Sequence, residues 1–285
     1  NNLSSGFLVS IFCVAASLLV AASCSNKQAH QRAGILEEAP NFRDLGGYAS
    51  ANGRQTIWGK IFRSQTLASL NEHDVEKLKE LGIKTVIDFR DDDEVQHTPS
   101  RLPESVKIIR LPIGVGKNNS AKNDSTQQIM QLAMSGQLDS LQCVRFMEDA
   151  NRRLVTEFAP QYKAFFNVLM QPESYPIVFH CTAGKDRTGF AAAMLLSALD
   201  VSWDTVMADY LLTNRYRDLK PQALWAKIPK EALPAIRQMR GVQPSYLNAA
   251  KAEIIDRYGS IDNYLEAELH IGTAEKEKLR KMLLK

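Results

Sequence analysis

The sequence predicts an α/β fold with a central, mainly parallel sheet flanked by helices, on two observations. Between residues 57 and 112, short β-branched or aromatic runs alternate with helical patterns, the order that parallel strands with helical crossovers require. A second unit repeats the step: Ile177–His180, a tight polar loop, then an Ala/Leu-rich helix from Phe190 to about Leu199.

Taken in order, the chain begins with Gly6–Ala22, a run that is apolar or small and carries no charge. It is short for a membrane span and suits an export signal, so 1–24 is expected to be a signal peptide. Ser25–Ala39 is polar and aperiodic and is expected to be a tether, which leaves 40–285 for the folded domain. Asn41–Tyr48 contains the Gly46-Gly47 turn. Ile57–Arg63 reads as a strand after the Asn52-Gly53 hairpin signal. In Ser69–Leu81, Leu70, Val75, Leu78 and Leu81 lie near one helical face, and Gly82 marks the stop. Thr85–Phe89 is a buried strand. The acidic run Asp91-Asp92-Asp93-Glu94 after it suits a helix entry, as caps and dipole partners.

Val106–Pro112 is the next strand. Gly114–Ser140 is polar and weakly patterned, with a helix only over Gln127–Met134. Asn151–Met170 is expected to form one helix that packs Leu154, Phe158, Phe165 and Leu169. After the strand–loop–helix unit, Ala191, Ala192 and Ala193 allow close contact with the sheet. Val201–Asn214 is then helical, as are Ser245–Tyr258 and Thr273–Leu284, with Ser245 and Thr273 as caps.

The stretch from His180 to Gly189 carries the chemistry. Gly184 and Gly189 let the backbone turn sharply and approach a ligand. The following helix presents unpaired N–H groups and its positive dipole end, which makes an anion site. Cys181 sits in that site, and cations near a helix N-terminus lower a thiol from ~8.5 to roughly 3.5–7.5. Arg187 offers a planar fork for two phosphate oxygens. With Thr182, Ala183, Gly184, Lys185, Thr188 and Gly189 cradling a phosphate, the implied chemistry is attack of sulfur on phosphorus and later hydrolysis of a phosphocysteine. Thr188 brings a hydroxyl beside the sulfur, and His180 is placed to orient the loop. A nucleotide-binding reading of Gly184-Lys185 fails, because Phe179 and Asp186 stand where that pattern needs Gly and Ser or Thr.

His180–Gly189 resembles the Cys-x5-Arg signature of the protein tyrosine phosphatase superfamily, and most of all its bacterial, atypical, lipid-active branch. Asn41-Phe42-Arg43-Asp44-Leu45-Gly46-Gly47, Ile61-Phe62-Arg63-Ser64, Thr85–Arg90 and Asp209–Asn214 match that branch in the same order. The resemblance implies a tyrosine phosphatase-like fold and phosphate monoester hydrolysis, without a cofactor. It also implies that Asp88 faces the phosphate loop and that the insertion at 114–140 acts as a lid. No Trp-Pro-Asp tripeptide precedes the signature. The resemblance places the general acid inside the loop, at Asp186, with Asp88 as the second choice. Phosphatases of inositol lipids resemble this chain in having Lys at position 185. Phosphotyrosine, with phosphoserine or phosphothreonine, is therefore the first substrate expectation and phosphoinositides the second.

A formal net charge of +3 gives no ground for a nucleic-acid partner. The five histidines are scattered without paired Cys or Glu, so no metal is expected. Val20-Ala21-Ala22-Ser23-Cys24 resembles a lipobox, which implies lipid on Cys24 and an exported, envelope-anchored protein. With Cys13 in the signal, Cys143 and Cys181 remain. Two other classes stay open: an idle phosphate-binding lipoprotein, and an arsenate-reductase-like redox protein, for which Cys143 is the available resolving thiol.

Overall fold

The computed structural model describes residues 30–114, 126–217, 225–226 and 228–285. The expected signal, Cys13, Cys24 and part of the expected lid insertion lie outside these residues. Five strands form one sheet: β1 (Arg43–Asp44), β2 (Ile61–Ser64), β3 (Thr85–Asp88), β4 (Lys107–Arg110) and β5 (Ile177–His180). Their order is β1-β2-β5-β3-β4, with β1 antiparallel and every other pairing parallel. The expected α/β class is the observed one.

Register fixes where the site lies. Ser64, His180 and Asp88 are partners across the three central strands. The segments after them therefore leave the sheet side by side at its carboxyl edge, where open parallel sheets place ligands. Alternation fills the two faces. Ile61, Ile87, Ile177 and Phe179 point into the larger core, while Phe62, Val86 and Val178 point into the smaller one.

The smaller face is covered by α1 (Glu72–Glu80) and by the segment before β1. Here the expected tether is corrected. Leu36 and Ala39 are buried, and the backbone N–H groups of Glu37 and Glu38 donate to the buried Asp74 carboxylate at 2.7 and 2.9 Å. Arg32 donates to the carbonyls of Asp44 and Gly46 and lies over the Tyr48 and Trp58 rings. Its polar residues bind specific partners, so the domain begins ahead of Pro40.

The larger face carries most helices. The expected helix Asn151–Met170 is two: α4 (Ser140–Thr156) and α5 (Ala159–Leu169). Pro160 lacks an N–H and fits only a first turn, so the chain breaks at Glu157-Phe158 and restarts. Next come α6 (Asp186–Ala198) and α7 (Trp203–Arg217). They are followed by α8 (Leu233–Arg240), α9 (Pro244–Tyr258), α10 (Ile261–Ala267) and α11 (Thr273–Leu283). Neither Ser245 nor Thr273 is a cap. Gln243 and Gly272 hold those positions, and Glu275 accepts from the Gly272 N–H. The sequence reading missed α8, which has no side-chain cap, and the seven-residue α10, although Ser260 caps it by accepting from the Asn263 N–H. The helices α2 (Asp92–His97) and α3 (Thr126–Met134) complete the α-helices among the described residues.

Candidate active site

The loop from Cys181 to Arg187 joins β5 to α6, and its peptide groups are sorted by direction. The carbonyls are held outward. Asn41 Nδ2 donates to those of Ala183 and Gly184 at 3.2 and 3.1 Å, and Arg63 Nη2 donates to Gly184 at 2.9 Å. The Thr66 N–H bonds the Thr182 carbonyl, His180 Nδ1 the Cys181 carbonyl and the Tyr162 hydroxyl the Arg187 carbonyl. Among the described residues nothing accepts from the N–H groups of 182–188; the first bonded donor is Gly189, which reaches the Lys185 carbonyl at 2.7 Å. A planar peptide held by its oxygen turns its N–H the other way, so a row of donors faces the loop's concave side. Gly184 makes this path possible. Its φ is +67°, and a Cβ there would lie 2.5 Å from the Ser64 carbonyl oxygen.

A buried ionic frame holds these anchors. Asp209 on α7 accepts from Arg43 Nε at 3.0 Å, Arg63 Nη1 at 2.6 Å and the Tyr48 hydroxyl at 2.9 Å. Arg43 Nη1 also donates to Asn41 Oδ1. Burial alone would raise Asp209, but the two guanidinium groups hold it well below the usual carboxylate range. The three segments 41–47, 61–64 and 209–214, far apart in sequence, thus converge on one loop.

Cys181 lies at the floor, 2% exposed, at the N-terminal side of α6. Arg187 comes from the first turn of that helix. Its Nη1 and Nη2 bond both oxygens of Glu94 at 2.6 and 2.8 Å, and Nη1 also reaches the Ile113 carbonyl at 3.0 Å. Nη2 sits 3.5 Å from Thr182 Oγ1. The Thr182 hydroxyl donates to the same Glu94 oxygen that Nη2 holds. Glu94 therefore takes both terminal nitrogens of the guanidinium, and Nε makes no bond among the described residues. Burial raises Glu94, but Arg187 and Thr182 outweigh it and hold the carboxyl at about 2. Burial lowers Arg187, and Glu94 and Cys181 raise it above its ordinary value.

Asp186 is 18% exposed at its side chain and has weak partners: Asn151 Nδ2 at 3.5 Å and the Tyr210 hydroxyl at 3.4 Å. Lys185 Nζ lies 2.8 Å from Asp186 Oδ2, a charge contact without an aligned hydrogen bond, and burial lowers this ammonium. Thr188 is fully buried and its hydroxyl has no partner among the described residues. Asp88, the second choice as acid, is bound by Arg90 through its N–H, Nε and Nη2. It stands 3.8 Å from His180 Nε2, behind the loop. Locked there, it supports the strand ends and is not free to reach a leaving group. Burial lowers His180 to about 4, against the pull of Asp88, so its imidazole is neutral near pH 7. Cys143 and Cys181 are both free thiols.

The structure thus brings Cys181, Thr182, Ala183, Gly184, Lys185, Asp186, Arg187, Thr188 and Gly189 into one cradle, with His180 and Asp88 beneath it. The sequence reading missed Glu94, Asn41, Arg63 and Asp209 as site residues. Glu94 is the helix-entry residue its sequence position predicts: its carboxylate accepts from the Asp91 N–H. The same oxygen also serves Arg187, and no local pattern announces that second use.

The comparisons agree with this geometry. A model of the tyrosine phosphatase family matches residues 35–285. A protein of Cupriavidus necator provisionally named a tyrosine-protein phosphatase is 32% identical over 82% of this chain and 83% of its own length. The triple specificity protein phosphatase PtpB of Mycobacterium tuberculosis is 28% identical over 87% of this chain and 98% of its own. A tyrosine-protein phosphatase of Nostoc commune is 28% identical over 75% of this chain and 70% of its own.

Proposed function

The chain belongs to the tyrosine phosphatase family, and from that membership and the site geometry we propose a two-step phosphate transfer through Cys181. It is a hydrolase of phosphate monoesters, of the protein tyrosine phosphatase type. In the proposed course the inward N–H groups and the Nε edge of Arg187 bind the phosphate oxygens, with phosphorus above the Cys181 sulfur. The thiolate attacks, the P–O bond of the ester breaks, and Asp186 gives its proton to the departing oxygen. Water then attacks the phosphocysteine, and Asp186, now ionised, takes up its proton. The sulfur leaves as a thiolate that the Thr188 hydroxyl stabilises. Charge gathers on the equatorial oxygens in both steps, where fixed donors stabilise it most.

The observation that carries this reading is the row of loop N–H groups left without acceptors among the described residues, in a loop that begins at Cys181 and leads into Arg187. Asp186 suits the acid's role because its Asn151 and Tyr210 contacts are long and its position is partly open, whereas Asp88 is bound by Arg90. The test compares the protein with Cys181→Ser on phosphotyrosine peptides, phosphoserine peptides and a phosphoinositide panel. The reading expects wild-type turnover of phosphotyrosine that Cys181→Ser abolishes; equal turnover by both forms would end it.

Phosphoinositides are the second substrate reading, supported by the cation Lys185 at the loop. Replacement of Lys185 by Met should then reduce phosphoinositide turnover more than aryl phosphate turnover. The apolar run Gly6–Ala22 and the small residues before Cys24 support export and a lipid anchor. Mass spectrometry of the membrane fraction tests this, and an unmodified Cys24 would refute it. The intact Cys181, Arg187 and Thr188 speak against an idle phosphate binder. The lack of a second resolving thiol beside Cys143 speaks against redox chemistry.

A further inference from the structure

We propose that Asn151 and Tyr210 are positioning residues for the proton donor, holding the Asp186 carboxyl in line for both proton transfers. This rests on the phosphatase reading above and adds the two side chains through which that acid is aimed.

Asp186 opens α6, and its neighbours come from two helices far apart in sequence. From α4, Asn151 Nδ2 lies 3.5 Å from Asp186 Oδ1; from α7, the Tyr210 hydroxyl lies 3.4 Å from the same oxygen. Lys185 Nζ stands on the other side, 2.8 Å from Oδ2. Catalytic hydrogen bonds are often long before the reacting geometry forms. Contacts of this length leave the carboxyl room to turn while limiting where it can go.

Each holder is itself fixed. Asn151 is fully buried, and its Nδ2 also donates to the Met147 carbonyl, one turn back, at 2.8 Å. The Tyr210 ring lies against Gly189, where a Cβ would come within 2.8 Å of the ring. Positions three apart are neighbours on a helix face, so a ring seated on Gly189 brings its hydroxyl to Asp186. Tyr210 also follows Asp209, whose carboxylate Arg43 and Arg63 clamp. The frame beneath the loop thereby sets the holder of the acid as well. Burial pushes the Tyr210 phenol well above its ordinary value, so it stays a donor.

Asn151 supplies a second, independent observation. Its Oδ1 is buried and has no partner among the described residues. An unpaired buried acceptor costs stability, and an apolar side chain of similar size would avoid that cost. An amide offers what such a side chain lacks: an N–H for the ionised carboxylate and an acceptor for the protonated acid. Asp186 passes through both forms, one in each step. Tyr162 on α5, Tyr246 on α9 and Arg217 on α7 also feel the Asp186 charge. Among the described residues none of these three bonds to it.

The test measures kcat against pH for two aryl phosphates, one with an activated and one with a poor leaving group. The proteins are wild type, Asn151→Leu, Tyr210→Phe, Asp186→Asn and each of the first two variants combined with Asp186→Asn, with Tm read alongside. Asn151→Leu and Tyr210→Phe should each lower the ratio of poor-ester to activated-ester rate about three- to tenfold and displace the limb that reports the acid. In the Asp186→Asn protein neither should change the ratio further. Tyr210→Phe removes a single oxygen and decides the matter if Asn151→Leu does not fold. An equal fall with both esters, or a fall that persists in the Asp186→Asn protein, marks a merely structural role and overturns the proposal. If Asp186→Asn itself leaves the ratio unchanged, the acid assignment falls and this proposal with it. If it lowers the ratio and neither neighbour does, this proposal alone fails.

Discussion

Beneath the catalytic loop, Asn41, Arg43, Arg63 and Asp209 are buried and bonded to one another. Above it, Thr182, Asp186, Arg187 and Glu94 keep part of their surface in solvent. The lower set fixes the direction of the peptide groups. In the proposed mechanism only the upper set meets substrate. A functional loop therefore depends on two kinds of residue, and mutation should separate them: below, stability and activity fall together; above, activity falls alone.

The largest effect belongs below. Asp209→Asn leaves Arg43 and Arg63 charged, buried and incompletely paired, and should cost ~3–5 kcal/mol. Calorimetric unfolding should show a large drop in Tm together with loss of turnover. An unchanged Tm would break the comparison. Arg187→Lys is the opposite case. It keeps the charge but loses the fork, and should lower kcat by about 10²–10³-fold with little change in Tm. Asp186→Asn should lower the rate for esters with poor leaving groups by about 10²-fold and spare activated aryl esters. The limb of the pH–rate profile that reports the acid should vanish with it. If both ester classes fell equally, Asp186 would not be the proton donor.

Acid separates the regions by a different route. His180 is held at about 4, below its ordinary 6.5, by burial. Over that window the unfolded chain binds a proton that the folded chain does not. Stability should therefore fall as pH drops from about 6.5 toward 4, by up to ~1.4 kcal/mol per pH unit. Urea unfolding across this range checks the slope, and His180→Asn should flatten it. Glu94 behaves in the opposite sense. Its folded value of about 2 lies below its ordinary 4.5, so its contribution is complete above 4.5 and disappears only toward pH 2. The smallest effect follows: Glu94→Gln should lower kcat about tenfold through a less fixed Arg187, with no new titration between pH 5 and 8.

The sheet and the loop were readable because their signals are local. Ile177–His180 followed by glycines and cations states strand, turn and anion site within a few residues. The frame beneath was not readable, because Arg43, Arg63 and Asp209 are ordinary charged residues until the fold brings β1, β2 and α7 together. Resemblance marked those segments, but only the geometry says that they hold carbonyls outward. Glu94 stayed hidden for a related reason: its capping role accounts for its type and spacing, and its partner Arg187 lies 93 residues away in sequence. The helix break at Glu157-Phe158 was legible in Pro160 and was overridden by the apolar period on both sides.

The most direct test is to mix the protein with an aryl phosphate, quench in acid within the first turnovers and map the phosphorylated peptide by mass spectrometry. The account predicts a phosphoryl group on Cys181, absent from Cys181→Ser. Steady turnover with no adduct on that sulfur, or with the adduct on another residue, would contradict it.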